Sequence, residues 1–331
     1  MIKMMTGMKL HLLCKRAIIV AFLTGATAMA GSSGKAIIKS VKTMEQVLGV
    51  KMIEPGDLGK RSQPAPPSLD DGYMGNAIEV SADGTAVVWS DGTLLSRWLK
   101  QIPYRDKEIP LFTVENLTEG KQPVFVEGLH PAYALGLSAE GKVIVAMALP
   151  LPLLPTTRYK LIAVDRRSGV VIHDLTPFAT QIELKAGVYD ISVSGPGNLV
   201  AIGANEKIQV LEIPGGRSVF ASPGWYPRLS PDGKRLAFVD DKDKLWIYSF
   251  ADGSKIQLLK GKPVKGVGGW SPDGRFLLAG AWTTLFAFSK RQIIIDTTTG
   301  EYAVIGKLGE GDYGVQYAWI SVELVKQTRP Q

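Results

Sequence analysis

Few residues in this chain have the types and spacing for catalysis. After residue 30 there are two histidines, His130 and His173, and the one cysteine, Cys14, lies before that point. A serine hydrolase needs its nucleophile on a strained turn with a base in reach, the G-x-S-x-G elbow followed by an acid and a histidine. No G-x-S-x-G occurs, and the nearest serines, Ser192 and Ser194 in D-I-S-V-S-G, belong to an alternating, strand-like run. With no thiol after Cys14, disulfides, thiolate nucleophiles and cysteine-held metals are excluded from a chain that begins near residue 31.

Metal chemistry would therefore fall to oxygen ligands. The densest acidic run is D-D-K-D-K, with Asp240, Asp241 and Asp243. It lacks the spacing and the glycine of a calcium loop, and a solvated hairpin turn is the better reading. Asp83, Asp232 and Asp273 recur in equivalent short motifs, which makes them turn residues of separate repeats rather than one acidic cluster. Asn76 and Asp190 are the nearest candidates for a metal-dependent site. The expectation is no catalytic residue, no metal and no cofactor. The sequon Asn116-Leu117-Thr118 would matter only in a glycosylating secretory pathway.

What must position any site is a repeat. The motif is S-A-D-G at 81–84, S-A-E-G at 138–141, S-G-P-G at 194–197, and S-P-D-G at both 230–233 and 271–274, with a degenerate copy in Y-A-W-I-S at 317–321. Each is preceded by alternating apolar residues and followed by a second apolar run, a pattern of two strands joined by a tight turn. In the turn, proline presets φ, aspartate bonds nearby amides, and glycine takes the positive φ. A third strand ends near an acid and a glycine turn, as in K-L-W-I-Y-S-F-A-D-G at 244–253, and a fourth follows. Four strands per repeat indicate an all-β fold, a β-propeller of six four-stranded blades. The sixth blade runs out of chain, so the segment 36–54 is expected to supply strands that close the ring by pairing with the C-terminal strands; T-M-E-Q-V-L could instead form a short helix.

The blade P-R-L-S-P-D-G-K-R-L-A-F-V-D-D-K-D-K-L-W-I-Y-S-F-A-D-G-S-K-I-Q-L-L, 227–259, resembles those of TolB-like and WD-repeat-like propellers and of the propeller of prolyl-oligopeptidase-family peptidases. The resemblance covers residues 75–321. It implies the fold and is weak for function. It stops short of the α/β domain that precedes the TolB propeller and of the hydrolase domain that follows the peptidase one.

The first thirty residues explain most of the charge. Of the net +7, four bases and no acid lie in residues 1–30, leaving +3 for the rest, with no basic face for nucleic acid. Lys15 and Arg16 precede the apolar stretch 17–30, which ends in Ala28-Met29-Ala30. This reads as a signal peptide cleaved near Ala30, with the apolar run too short to span a bilayer. The organisation expected is a signal peptide at 1–30, a lead-in segment at 31–70 that contributes to ring closure, and a propeller at 71–331, periplasmic or secreted, with no membrane span after cleavage.

A partner would meet what varies around the repeat. Five residues before the turn serines stand Tyr133, Tyr189 and Trp225, aromatics that either ring the channel mouth or pack between blades. The second-to-third-strand loops are long in the first two blades, 90–110 and 148–158. They carry Leu95, Trp98, Tyr104, Leu151, Leu153 and Leu154 on one rim, for partner contact or for capping the channel. The leading expectation is a non-catalytic module of the cell envelope that binds a protein, peptide or other ligand. The alternatives are a substrate-gating propeller of a separate peptidase and a metal-dependent propeller hydrolase.

Overall fold

The computed structural model describes residues 33–53, 78–89, 112–130, 135–150, 158–184, 188–282, 290–307 and 317–327. After a helix over 33–48 (α1) and the strand β1 (Val50–Ile53), the chain builds antiparallel sheets in succession. The first sheet is β2 (Ile78–Val80), β3 (Ala86–Trp89), β4 (Phe112–Asn116) and β5 (Gly120–Val124). A short β6 (Leu129–His130) then pairs with the far end of β8 in the second sheet, which is β7 (Leu135–Leu137), β8 (Val143–Pro150), β9 (Lys160–Asp165) and β10 (Val171–Asp174).

Three compact sheets follow. They are β11 (Val188–Val193) to β14 (Ser218–Pro223) through β12 (Leu199–Ala204) and β13 (Lys207–Glu212); β15 (Trp225–Leu229) to β18 (Lys255–Leu258) through β16 (Arg235–Val239) and β17 (Leu245–Ser249); and β19 (Val264–Trp270) to β22 (Tyr302–Lys307) through β20 (Phe276–Trp282) and β21 (Lys290–Asp296). Apart from β6, each strand of these five sheets pairs with the next in sequence, the up-and-down order of propeller blades. The protein is an all-β propeller.

The expectation of six four-stranded blades is corrected. Among the described residues there are five such blades, and the chain ends in a ribbon of two strands, β1 paired antiparallel with β23 (Ala318–Ser321) from Val50↔Ser321 to Ile53↔Ala318. Segment 36–54 supplies one strand rather than several, because most of it is α1. Apolar Ile37, Val41 and Met44 recur three and four residues apart, a helical stripe that buries against Phe276, Leu278, Ile294 and Ala303 of the fifth blade. Across the ribbon, the short helix α2 (Val322–Gln327) buries Leu324 with Val87 of the first blade and Ile320.

The core is shared among blade interfaces. Inner strands such as β12 are buried at every position because both faces meet a neighbouring blade, so they read as unbroken apolar runs. Outer strands such as β14 alternate or lie open. No helix among the described residues is long and apolar enough to cross a membrane.

Candidate functional site: a charged cavity inside a belt of turns

The first strands of the blades stand around a common axis, and each leads into one of the recurring turns. In the first blade Ser81 Oγ donates to Asp83 Oδ1 at 2.6 Å and accepts from the Ala86 amide at 2.9 Å, while Asp83 Oδ1 also accepts from the Thr85 amide. Ser230 with Asp232, and Ser271 with Asp273, repeat the pattern at 2.6 and 2.5 Å. In the third blade Asn198 takes the acid's place. The glycines closing these five turns have φ from +65° to +75°. Burial pushes the Asp232 carboxyl up, but the Ser230 hydroxyl and the Lys234 amide outweigh it and hold it below the usual carboxylate range.

These turns also join one blade to the next. The Ser321 amide of the ribbon donates to Gly84 O, the Glu140 amide of the second blade to Asp83 Oδ2, Ala139 to Gly195 O, and Gly195 to Pro231 O, all within 2.8–3.0 Å. The Arg235 guanidinium then reaches Gly274 O at 2.6 Å. The turns thus form a hydrogen-bonded belt from the ribbon through the five described blades, held mostly by backbone groups, with Asp83 and Arg235 the side chains that cross between blades. A Cβ on Gly195 would lie 2.1 Å from Pro231 O, so that contact requires glycine.

Two residues before each turn serine, the same strands surround a cavity of about 180 Å³. Its lining includes Glu79, Gly136, Ser192, Arg228 and Gly269 from the five blades and Trp319 from the ribbon. Arg228 Nη2 pairs with Asp190 Oδ1 at 2.6 Å, both largely buried, and Arg228 Nη1 donates to Pro227 O. Ser192 Oγ accepts from the Leu229 amide, and Trp270 Nε1 donates to Arg228 O, which fixes the strand bearing the guanidinium from both sides. Burial works against the charge on Arg228, but Asp190 and Glu79 outweigh it and hold the guanidinium protonated.

Glu79 keeps part of its surface open to the cavity and is otherwise enclosed by protein. Enclosure pushes its pKa up to about 7, with Arg228 pulling it down and Asp190 adding to the rise. No hydrogen bond or ion pair among the described residues reaches its carboxyl group. Gly269 leaves its own part of the cavity wall open, since a Cβ there would meet nothing within 4 Å.

Of the residues named from the sequence, Leu95, Trp98, Tyr104, Tyr133, Leu151, Leu153 and Leu154, together with Asn76, lie outside the described residues. Tyr189 falls on β11 without a described side chain, and Trp225 sits half-buried at the start of β15. Asp190 lies beside the cavity rather than on its lining, as the partner of the lining residue Arg228. His173 lies on the outer strand β10, where Nε2 accepts from the Gly215 amide and the ring stacks on Phe178. Asp240 closes a hairpin, accepting from the Lys242 and Lys244 amides and from Trp246 Nε1. Glu79 and Arg228 were missed. The signal was there: aligned two places before the turn serine, a glutamate and an arginine interrupt otherwise small or apolar residues.

No family model and no curated protein matches the chain. Among solved structures, a chain of Kuenenia stuttgartiensis hydrazine synthase is similar at 15% identity and a TM-score of 0.40, over 72% of this chain and 70% of that one. The fold assignment rests on the sheets themselves.

Proposed function

We propose that this protein is a non-catalytic binding propeller whose ligand enters the central cavity. The observation that carries the reading is the convergence of Glu79 and Arg228 from two separate blades on one cavity, with Asp190 of a third blade paired to Arg228 behind its lining. Charged side chains are costly to enclose, and their collection at a channel rather than on the outer surface favours recognition there. The serines nearest the cavity are occupied, Ser81 in its turn and Ser192 by the Leu229 amide.

In the same reading the ring has six places. The ribbon and its two flanking helices fill the sixth, supported by the packing of α1 on the fifth blade and of α2 on the first. The likeness to TolB-type propellers, export with cleavage near Ala30, and a protein or peptide partner in the cell envelope belong to this proposal too. Loops 90–110 and 148–158 would then extend the binding face.

The test is site-specific photocrosslinking in the full chain expressed in a bacterial envelope, with the reactive residue at Ala82 beside the cavity, at Trp98 in the first long loop, or at Ile256 on the exposed outer strand β18. Adducts from Ala82, with or without Trp98, are expected. Adducts from Ile256 alone would overturn the reading.

A further inference from the structure

Resting on the channel reading above, we propose that the cavity binds an organic cation, a primary ammonium or a guanidinium group, with Glu79 as its counter-charge. The argument is one of charge and space. Two carboxylates face one guanidinium, and the geometry assigns that guanidinium to Asp190, leaving Glu79 as the surplus carboxylate. Among the described residues, Asp190 and Arg228 are the charged side chains that act on Glu79 from the surrounding strands; Tyr226 on β15 and Tyr317 beside β23 are the other titratable groups nearby. A carboxylate enclosed without a partner is expensive, and a cation delivered next to it removes the expense.

An organic cation fits better than a metal ion. Hard cations take six or more oxygen ligands, whereas among the described residues this cavity offers one carboxylate without a hydrogen bond or ion pair, beside a fixed positive charge. The cavity of about 180 Å³, open at Gly269, is larger than a bare ion needs and leaves room for an alkyl chain behind the charged head. The high pKa of Glu79 supplies a further consequence. Below neutrality the empty site holds a proton on Glu79, and a cation must displace that proton to solvent before it can pair.

The cation could belong to a free small amine or to a lysine or arginine side chain of a peptide, and two probes separate these sources. One is agmatine; the other is a capped pentapeptide with a central lysine between glycines. Binding is measured by calorimetry on the full chain in buffers of different ionisation enthalpy, none of them primary amines. A neutral alcohol and a carboxylate of matching length serve as competitors.

The expected result is binding of at least one cationic probe, about tenfold tighter at pH 8 than at pH 6, with about one proton released at pH 6. Glu79→Gln should weaken it at least about tenfold at pH 8 and flatten the pH dependence. Asp190→Asn should do likewise by freeing Arg228 to hold Glu79, and Gly269→Leu should block binding by filling the space while leaving the charges in place. Cation binding that survives Glu79→Gln unchanged, or that releases no proton, overturns the proposal. So does binding of the carboxylate or the alcohol in preference to the cation, but a probe that binds and is lost in Gly269→Leu leaves the channel reading standing. If neither cation binds, the inference falls, and the Ala82 crosslink decides the channel reading by itself.

Discussion

The turn carboxylates and the channel carboxylate lie four residues apart in the first blade, and their circumstances are opposite. Asp83 is met by the Ser81 hydroxyl, the Thr85 amide and the Glu140 amide of the next blade. Glu79 has no such donor among the described residues and titrates near neutrality. Enclosure is what raises Glu79, and it goes uncompensated there because the hydrogen-bond donors that surround Asp83 are missing among the described residues. In the belt, an acid surrounded by amides ties the blades together. In the cavity, an acid without such donors among the described residues keeps its proton up to about pH 7.

The glycines give the harshest break of that comparison. Gly195→Ala forces a methyl onto Pro231 O, so two blades must part, and a loss of about 3 kcal/mol or more is expected from the urea midpoint. Gly269→Ala, which meets nothing, should stay within about 0.5 kcal/mol.

Glu79→Gln sharpens the contrast through pH. The folded protein keeps the Glu79 proton up to about pH 7, whereas an unfolded chain releases it near 4.5. Between those values the folded state binds more protons, so the contribution of Glu79 to stability falls as pH rises. Relative to wild type, the glutamine variant should be about equally stable at pH 4 and about 1–3 kcal/mol more stable at pH 8, the upper figure being reduced by water in the cavity. Thermal unfolding across that range reads the difference.

Aspartates of the belt should behave the other way. Asp83→Ala removes bonds within the turn and the bond to Glu140, for a loss of about 2 kcal/mol, while Asp232→Ala loses only its own turn, about 1 kcal/mol. Equal losses in chemical denaturation would show that the bond between blades adds nothing.

Much of the fold is legible in the turns. Ser81, Ser230 and Ser271, each with an aspartate two places on and a glycine after it, carry local chemistry that makes a hairpin wherever it occurs, so the first two strands of each blade could be placed by reading alone. The expected sixth four-stranded blade is absent among the described residues, although β1 does pair with the C-terminal β23 and T-M-E-Q-V-L lies in a helix, the alternative left open by the sequence. The segment around Val41 and Met44 is apolar enough for strands, and what decides for a helix is the apolar face of the fifth blade, which offers Phe276 and Leu278 to a stripe with helical spacing. The charged cavity was half legible. Asp190 stood out as an acid, but its bond to Arg228 joins residues 38 positions apart.

By itself, the sequence determined the repeat, the position of each hairpin and the structural role of the turn aspartates, because these depend on side chains bonding amides a few residues away. Only the tertiary structure decided that the described residues form five blades with a ribbon beside them, that Asp83 also holds the next blade, and that Glu79 and Arg228 line one cavity with Asp190 paired to the arginine. Those facts arise from contacts between strands far apart in the chain, whose energies depend on enclosure and on partners that no local pattern specifies.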